Sequence, residues 1–178
     1  GGLGIGLAAA GMAGALCVIG GWSALSDGTS TGMSVEWTLP LGYARLAVDG
    51  LSAWFLLVIG LVSIGISIYS WGYFNSTTTH GSVGALAPLL CTLIGAMVLV
   101  VCAADAVLFL VGWELMALSA FFLIGFHDED ADARRGAWTY LVATHLGTML
   151  GVLPVFAAFV ARSGGTSMDG FAGAFGAS

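Results

Sequence analysis

A polytopic all-α membrane bundle is the fold class this sequence predicts, and three observations carry the prediction. The 178 residues are 58% hydrophobic and only 8% charged, whereas soluble domains carry about 25% charged residues. Mean hydropathy is +1.00. The apolar residues gather into runs long enough to cross a bilayer, which takes about 20 residues at ~1.5 Å each. In hydrocarbon every backbone N–H and C=O must be satisfied inside its own segment, so the runs predict helices. The strands of a membrane barrel would alternate apolar and polar residues, and these runs do not.

About five transmembrane helices are expected, over Leu3–Leu25, Leu51–Tyr73, Val83–Ala103, Ala106–Phe126 and Ala137–Val160. The first carries a row of small residues, Gly2, Gly6, Ala10 and Gly14, which lets another helix approach closely. Pro88 falls early in the third helix, where it is tolerated. Pro154 falls inside the fifth, where its ring presses on the carbonyl of Leu150 and predicts a kink. Only Ala103-Ala104-Asp105 separates the third helix from the fourth, so a tight antiparallel turn is expected.

Residues 26–50 form the longest connection, an extramembrane loop. Val35, Trp37 and Leu39, then Ala44, Leu46 and Val48, alternate with other residues around Pro40-Leu41-Gly42. A small β-hairpin and an irregular loop both fit that pattern. Residues 162–178 read as a linker toward a further helix. The whole of 1–178 is expected to be one incomplete transmembrane domain, the N-terminal part of a larger bundle. Gly1 opens at the edge of an apolar run, and Ala177-Ser178 closes a Gly/Ala-rich stretch.

Charge narrows the function classes. The formal net charge is -6 and the four basic residues are Arg45, Arg134, Arg135 and Arg162. Nucleic acid is not expected as a partner, because phosphate binding needs basic clusters. Cys17, Cys91 and Cys102 all lie in apolar runs without a ligand spacing, so no cofactor and no metal are expected on this chain. Arg134 and Arg135 favour their own side of the membrane as the cytoplasmic one. The acidic run His127-Asp128-Glu129-Asp130 with Asp132 lacks the glycine and terminal glutamate of a calcium loop and reads as solvated. Gly4-Ile-Gly6-Leu-Ala-Ala9 imitates a dinucleotide fingerprint, but no strand precedes it.

Glu114, near the middle of the fourth helix, is the most informative residue. A carboxylate there costs roughly 2.5 kcal/mol or more. It must face the bundle interior, find a partner or stay protonated, and each of these makes it a group able to exchange a proton. His145 lies on the fifth helix, offset from Glu114 by about one turn, ~6 Å, along the membrane normal. Contact, direct or through a water, is expected if the two helices pack through these faces. Tyr140, Thr144 and Thr148 add a polar stripe fit to hold ordered waters. Glu114 and His145 are therefore the candidate proton relay. A structural carboxylate and a histidine satisfied by one carbonyl are the plainer readings. Asp49 and Asp105 stand at helix starts, where acids cap; Asp105 at the mouth of a proton path is the sharper alternative.

The text Gly112-Trp113-Glu114-Leu-Met-Ala-Leu-Ser-Ala-Phe-Phe-Leu-Ile-Gly125-Phe126 resembles the glutamate-bearing helix of the antiporter-like subunits of respiratory NADH–quinone oxidoreductase, Mrp antiporters and membrane-bound hydrogenases. Ala133-Arg134-Arg135-Gly-Ala-Trp-Thr-Tyr140-Leu-Val-Ala-Thr144-His145-Leu-Gly147-Thr148 resembles the large membrane subunit of formate hydrogenlyase and hydrogenase-4 (component B). Val48-Asp49-Gly50-Leu51-Ser52-Ala53 also fits, and the resemblance covers roughly Trp37 to Phe159.

The resemblance implies a proton-translocating, itself non-catalytic subunit of a redox-driven complex in a bacterial or archaeal inner membrane. It implies that Glu114 belongs to a charged pathway which continues through a lysine on a later, broken helix, outside this sequence. Expected partners are the lipid bilayer, other membrane subunits and a hydrogenase or dehydrogenase module, with protons or sodium ions as cargo. The competing expectations are a structural membrane anchor without its own ion path, an Mrp-type sodium–proton antiporter subunit, and a subunit that itself reduces quinone.

Overall fold

A computed structural model describes residues 2–28, 31–36, 43–76, 85–126 and 131–170. In chain order the elements are α1 (Gly2–Asp27), β1 (Thr31–Glu36), β2 (Tyr43–Val48), α2 (Gly50–Ser76), α3 (Leu86–Cys102), α4 (Ala106–Ile124) and α5 (Ala131–Gly147). A π-helical turn (Thr148–Val152), α6 (Leu153–Ser163) and a single 3₁₀ turn (Met168–Gly170) follow. The molecule is a multi-pass helical membrane bundle, as the apolar runs predict.

Among the described residues, four helical spans are long and apolar enough to cross a membrane: Gly4–Asp27, Gly50–Tyr73, Ala106–Ile124 and Ala131–Ser163. The 17 residues of α3 reach about 26 Å, just short of a hydrocarbon layer of about 30 Å. The expected start of that helix at Val83 lies outside the described residues, as do Trp37–Gly42, the loop holding His80, and His127–Asp130.

Helix α5 begins at Ala131, six residues before the expected Ala137, and so takes in Arg134 and Arg135. Hydropathy marks only the part of a helix that lies in oil, whereas the backbone ladder runs on into the headgroup layer. Asp132 in the first turn suits the positive end of the helix dipole.

Helices α1 and α2 are packed at van der Waals range where two glycines face each other. A Cβ on Gly14 would meet the Gly60 carbonyl oxygen at 2.8 Å, and one on Gly60 would meet the Gly14 carbonyl oxygen at 2.5 Å. Without a hydrophobic force between helices in lipid, such close backbone contact supplies the association. Leu7 and Ala10 of α1 then form a core with Leu90 and Ile94 of α3. Serines inside α2 are satisfied locally: Ser63 donates to the Ile59 carbonyl and Ser67 to the Ser63 carbonyl, both at 2.7 Å.

Helices α3 and α4 form an antiparallel pair across Ala103-Ala104-Asp105. Gly112 of α4 sits against Leu99 and Val100 of α3. The strands β1 and β2 pair antiparallel, with Met33 opposite Leu46. The backbone N–H of Ala104 donates to the carbonyl of Arg45 at 2.9 Å, which ties β2 to the α3–α4 turn.

The chain after α6 returns to the same turn. Gly164 ends α6 at φ 71°, a left-handed conformation that favours glycine, and its N–H donates to the Val160 carbonyl at 2.9 Å. The Ala106 N–H donates to the Thr166 carbonyl and the Met168 N–H to the Ala104 carbonyl. The Arg45 guanidinium, on β2, donates to Asp169 at 2.6 Å and to Ser167 at 2.7 Å. The segment that follows α6 is therefore stitched to β2 and to the α3–α4 turn.

Candidate functional site

Helices α4 and α5 run antiparallel and in register for two turns. Phe121 of α4 meets Trp138 of α5 edge to face at 5.6 Å between centroids. Seven residues along each helix, Glu114 meets His145, with 3.1 Å between Oε2 and Nε2. Glu114 sits eight residues from the start of the 19-residue α4, about 12 Å along its axis. That depth is the middle of the span.

The other ring nitrogen fixes the chemistry. Nδ1 of His145 is 3.0 Å from the carbonyl oxygen of Leu141. A carbonyl only accepts, so Nδ1 carries a hydrogen and donates. Nε2 then has two states. Bare, it accepts from a protonated Glu114; protonated, it donates as part of an imidazolium to the Glu114 carboxylate. In both states one proton lies between Oε2 and Nε2, and the pair as a whole is electrically neutral.

The side chains of His145 and Glu114 remain 35% and 38% exposed. The pair lies on an open seam between two helices rather than in a sealed core. In a bilayer such a seam needs cover from protein or a water-filled cavity, because ionisable groups are not left against lipid.

The residues around the pair are held by short local bonds. The Thr144 hydroxyl donates to the Tyr140 carbonyl at 2.6 Å, and the Thr148 hydroxyl donates to the Thr144 carbonyl at 3.0 Å. These hydroxyl protons are spent on their own helix, which leaves the oxygens as acceptors. One acceptor is in use: the indole N–H of Trp113 donates to Thr148 Oγ1 at 2.9 Å. Trp113 stacks on Phe109, which meets Phe156 of α6 edge to face at 5.4 Å.

The π-helical turn begins at Thr148 and ends two residues before Pro154. Proline offers no N–H, and its ring would collide with the carbonyl four residues back. The wide turn takes up an extra residue there, on the N-terminal side of the proline at which the sequence predicts a kink.

Asp105 is not brought to the pair. It is nine residues from Glu114 on α4, about 13 Å along the axis. It is 5% exposed, and its carboxylate accepts from the N–H groups of Val107 at 2.9 Å and Leu108 at 3.2 Å. Asp49 does the same for α2: Oδ1 accepts from the Ser52 N–H at 2.7 Å, and this hydrogen bond holds its carboxyl below the usual carboxylate range. Among the described residues no three His, Cys, Asp or Glu side chains are grouped to hold a metal ion.

Charge does not mark Trp113 as a site residue. The signal was present: an indole N–H in hydrocarbon needs an acceptor, and Thr148 lies one helical turn beyond His145.

The fold and the pair define a helical membrane protein with an acid–imidazole couple at mid-depth, and known proteins are similar to the chain in sequence and fold. Residues 43–80 match the family described as NADH-ubiquinone oxidoreductase (complex I), chain 5 N-terminus. An uncharacterised protein of Mycobacterium tuberculosis is 31% identical over 139 residues, covering 78% of this chain and 21% of that protein. The F(420)H(2) dehydrogenase subunit N of Methanosarcina mazei is 31% identical over 140 residues, covering 78% of this chain and 27% of the subunit. A chain of the Mrp complex from Dietzia sp. DQ12-45-1b superposes with a TM-score of 0.71 at 26% identity, covering 94% of this chain and 20% of that one. The chain thus spans about a fifth to a quarter of the length of the relatives it matches. These similarities support the antiporter-like superfamily of membrane subunits.

Proposed function

We propose that this chain is part of a proton-translocating, antiporter-like membrane subunit of a redox-driven complex, in which Glu114 and His145 exchange the transported proton. The 3.1 Å contact at mid-span supports the reading most directly. The proton leaves the Glu114 carboxyl for His145 Nε2, giving a carboxylate and an imidazolium, and returns by the reverse step. The open seam at the pair supports a continuation through further helices and other membrane subunits.

The hydrogenase-4 or formate hydrogenlyase type is the finer proposal, and it rests on the resemblance of Ala133–Thr148. The likeness to a chain of an Mrp complex favours a second reading, an antiporter subunit that exchanges sodium for protons. Either protein would reside in a prokaryotic cytoplasmic membrane.

The test uses the full-length protein, assembled with its partners and reconstituted in liposomes. Glu114→Gln is expected to abolish proton transport while assembly is retained. Undiminished transport overturns the reading. Loss of yield with normal transport per assembled complex assigns the chain to anchoring instead. Transport that requires sodium selects the antiporter form.

A further inference from the structure

We infer that Trp113 and Thr148 are positioning residues, whose hydrogen bond sets the rotation of α5 so that His145 Nε2 meets Glu114. This rests on the proposed exchange between Glu114 and His145.

The need for such a device comes from the π bulge. An extra residue in a helix of 3.6 residues per turn turns α5 by about 100° relative to α6, so with Phe156 of α6 against Phe109 the place of the bulge decides which face of α5 meets α4. The bulge begins at Thr148, three residues after His145. A π turn interrupts the i→i−4 ladder of the α-helix, so a bond from outside the helix at its first residue can hold it in place.

The Trp113 indole is that outside contact. It is adjacent in sequence to Glu114, so the carboxylate and the clamp share one backbone. Its N–H reaches Thr148 Oγ1 at 2.9 Å, and the Thr148 hydroxyl continues to the Thr144 carbonyl at 3.0 Å. Thr148 is only 7% exposed, so water does not readily replace the indole. The ring is held in turn by Phe109, which leans on Phe156 beyond the bulge. On the other side of the pair, Phe121 and Trp138 hold the same two helices. The Glu114–His145 contact thus lies between two fixed points, and the one beside the π turn is a hydrogen bond with a direction.

Neither residue touches the exchanging proton. Their removal is expected to misalign the pair rather than to delete a proton carrier. Trp113→Phe keeps the ring and loses the donor; Thr148→Val keeps the volume and loses the acceptor. A hydrogen bond of ordinary strength corresponds to about a threefold to tenfold change. Each variant should lower transport per assembled complex by about that factor. Each should also shift the deuterium-sensitive carboxyl band that Glu114→Gln removes from the infrared difference spectrum. Thr148→Ser restores the hydroxyl and should recover both rate and band. The double variant should be no worse than either single one, since both remove the same bond.

An unshifted band with a normal rate per complex in Trp113→Phe overturns the inference, and so do additive losses in the double variant. If Glu114→Gln itself transports normally, the proposed exchange has failed and not the clamp alone.

Discussion

His145 is anchored through Nδ1 to the Leu141 carbonyl at 3.0 Å and presents Nε2 to Glu114 at 3.1 Å. The anchor belongs to the same helix, one turn back, so it persists as long as α5 does. Nitrogen NMR of the full-length protein labelled at histidine is expected to show a hydrogen on Nδ1 of His145, hydrogen-bonded to the Leu141 carbonyl. A population with bare Nδ1 and protonated Nε2 would remove the tautomer lock from the mechanism.

The Gly14–Gly60 contact predicts a sharp difference between glycines of the same helix. Gly60→Ala drives a methyl group into the Gly14 carbonyl, and overpacking of this kind costs about 1–3 kcal/mol. Gly65→Ala, also on α2, meets nothing within 4 Å, and its effect is expected within about 0.5 kcal/mol. Thermal unfolding of the two variants in detergent checks the contrast. Equal melting temperatures would show that the helices can part without loss.

The two capping aspartates predict different sensitivities. Asp105→Ala strips an acceptor from two N–H groups at a buried helix start, at a cost of about 1–2 kcal/mol. Asp49→Ala, at an exposed start, is expected to cost about 0.5 kcal/mol at pH 7. The Ser52 N–H holds the Asp49 carboxyl below its ordinary range in the fold. A lowered folded value means that the contribution is present above the unfolded value of about pH 4. It is lost as pH falls through the folded value, which lies lower still. Melting curves of wild type and Asp49→Ala should therefore be separated above about pH 4 and converge as acid protonates the folded carboxyl. A gap that persists in strong acid would assign the effect to something other than the charged cap.

The helices were legible because a run such as Leu51–Tyr73 has one stable form in oil, and length alone marks it. The start of α5 was not, since Arg134 and Arg135 look like loop residues to any measure of hydropathy although they sit on a continuous backbone ladder. Glu114 was conspicuous as a lone acid among Val111, Leu115 and Met116. Its contact with His145 needed a relative rotation of two helices, which no single-helix pattern contains. Spacing placed the two residues at similar depth and left the facing open. Tyr140, Thr144 and Thr148 read as a polar stripe, but sequence does not tell whether a hydroxyl turns outward to water or back to the carbonyl four residues before it. Thr144 and Thr148 turn back. Trp113 is inconspicuous because it is counted among the hydrophobic residues, whereas its one N–H is the atom that matters.

The carbonyl of Leu141 has an electrical consequence. Since it keeps Nδ1 occupied, a hop between Glu114 and His145 displaces one elementary charge by no more than 3.1 Å, against about 30 Å of insulating layer. A potential of 100 mV acts on a full crossing with about 2.3 kcal/mol. The hop therefore feels at most about a tenth of that, and less where its direction lies in the plane of the sheet of lipids. Charging of the membrane leaves this step almost untouched, and the field must do its work on whatever brings the proton to the pair and carries it away.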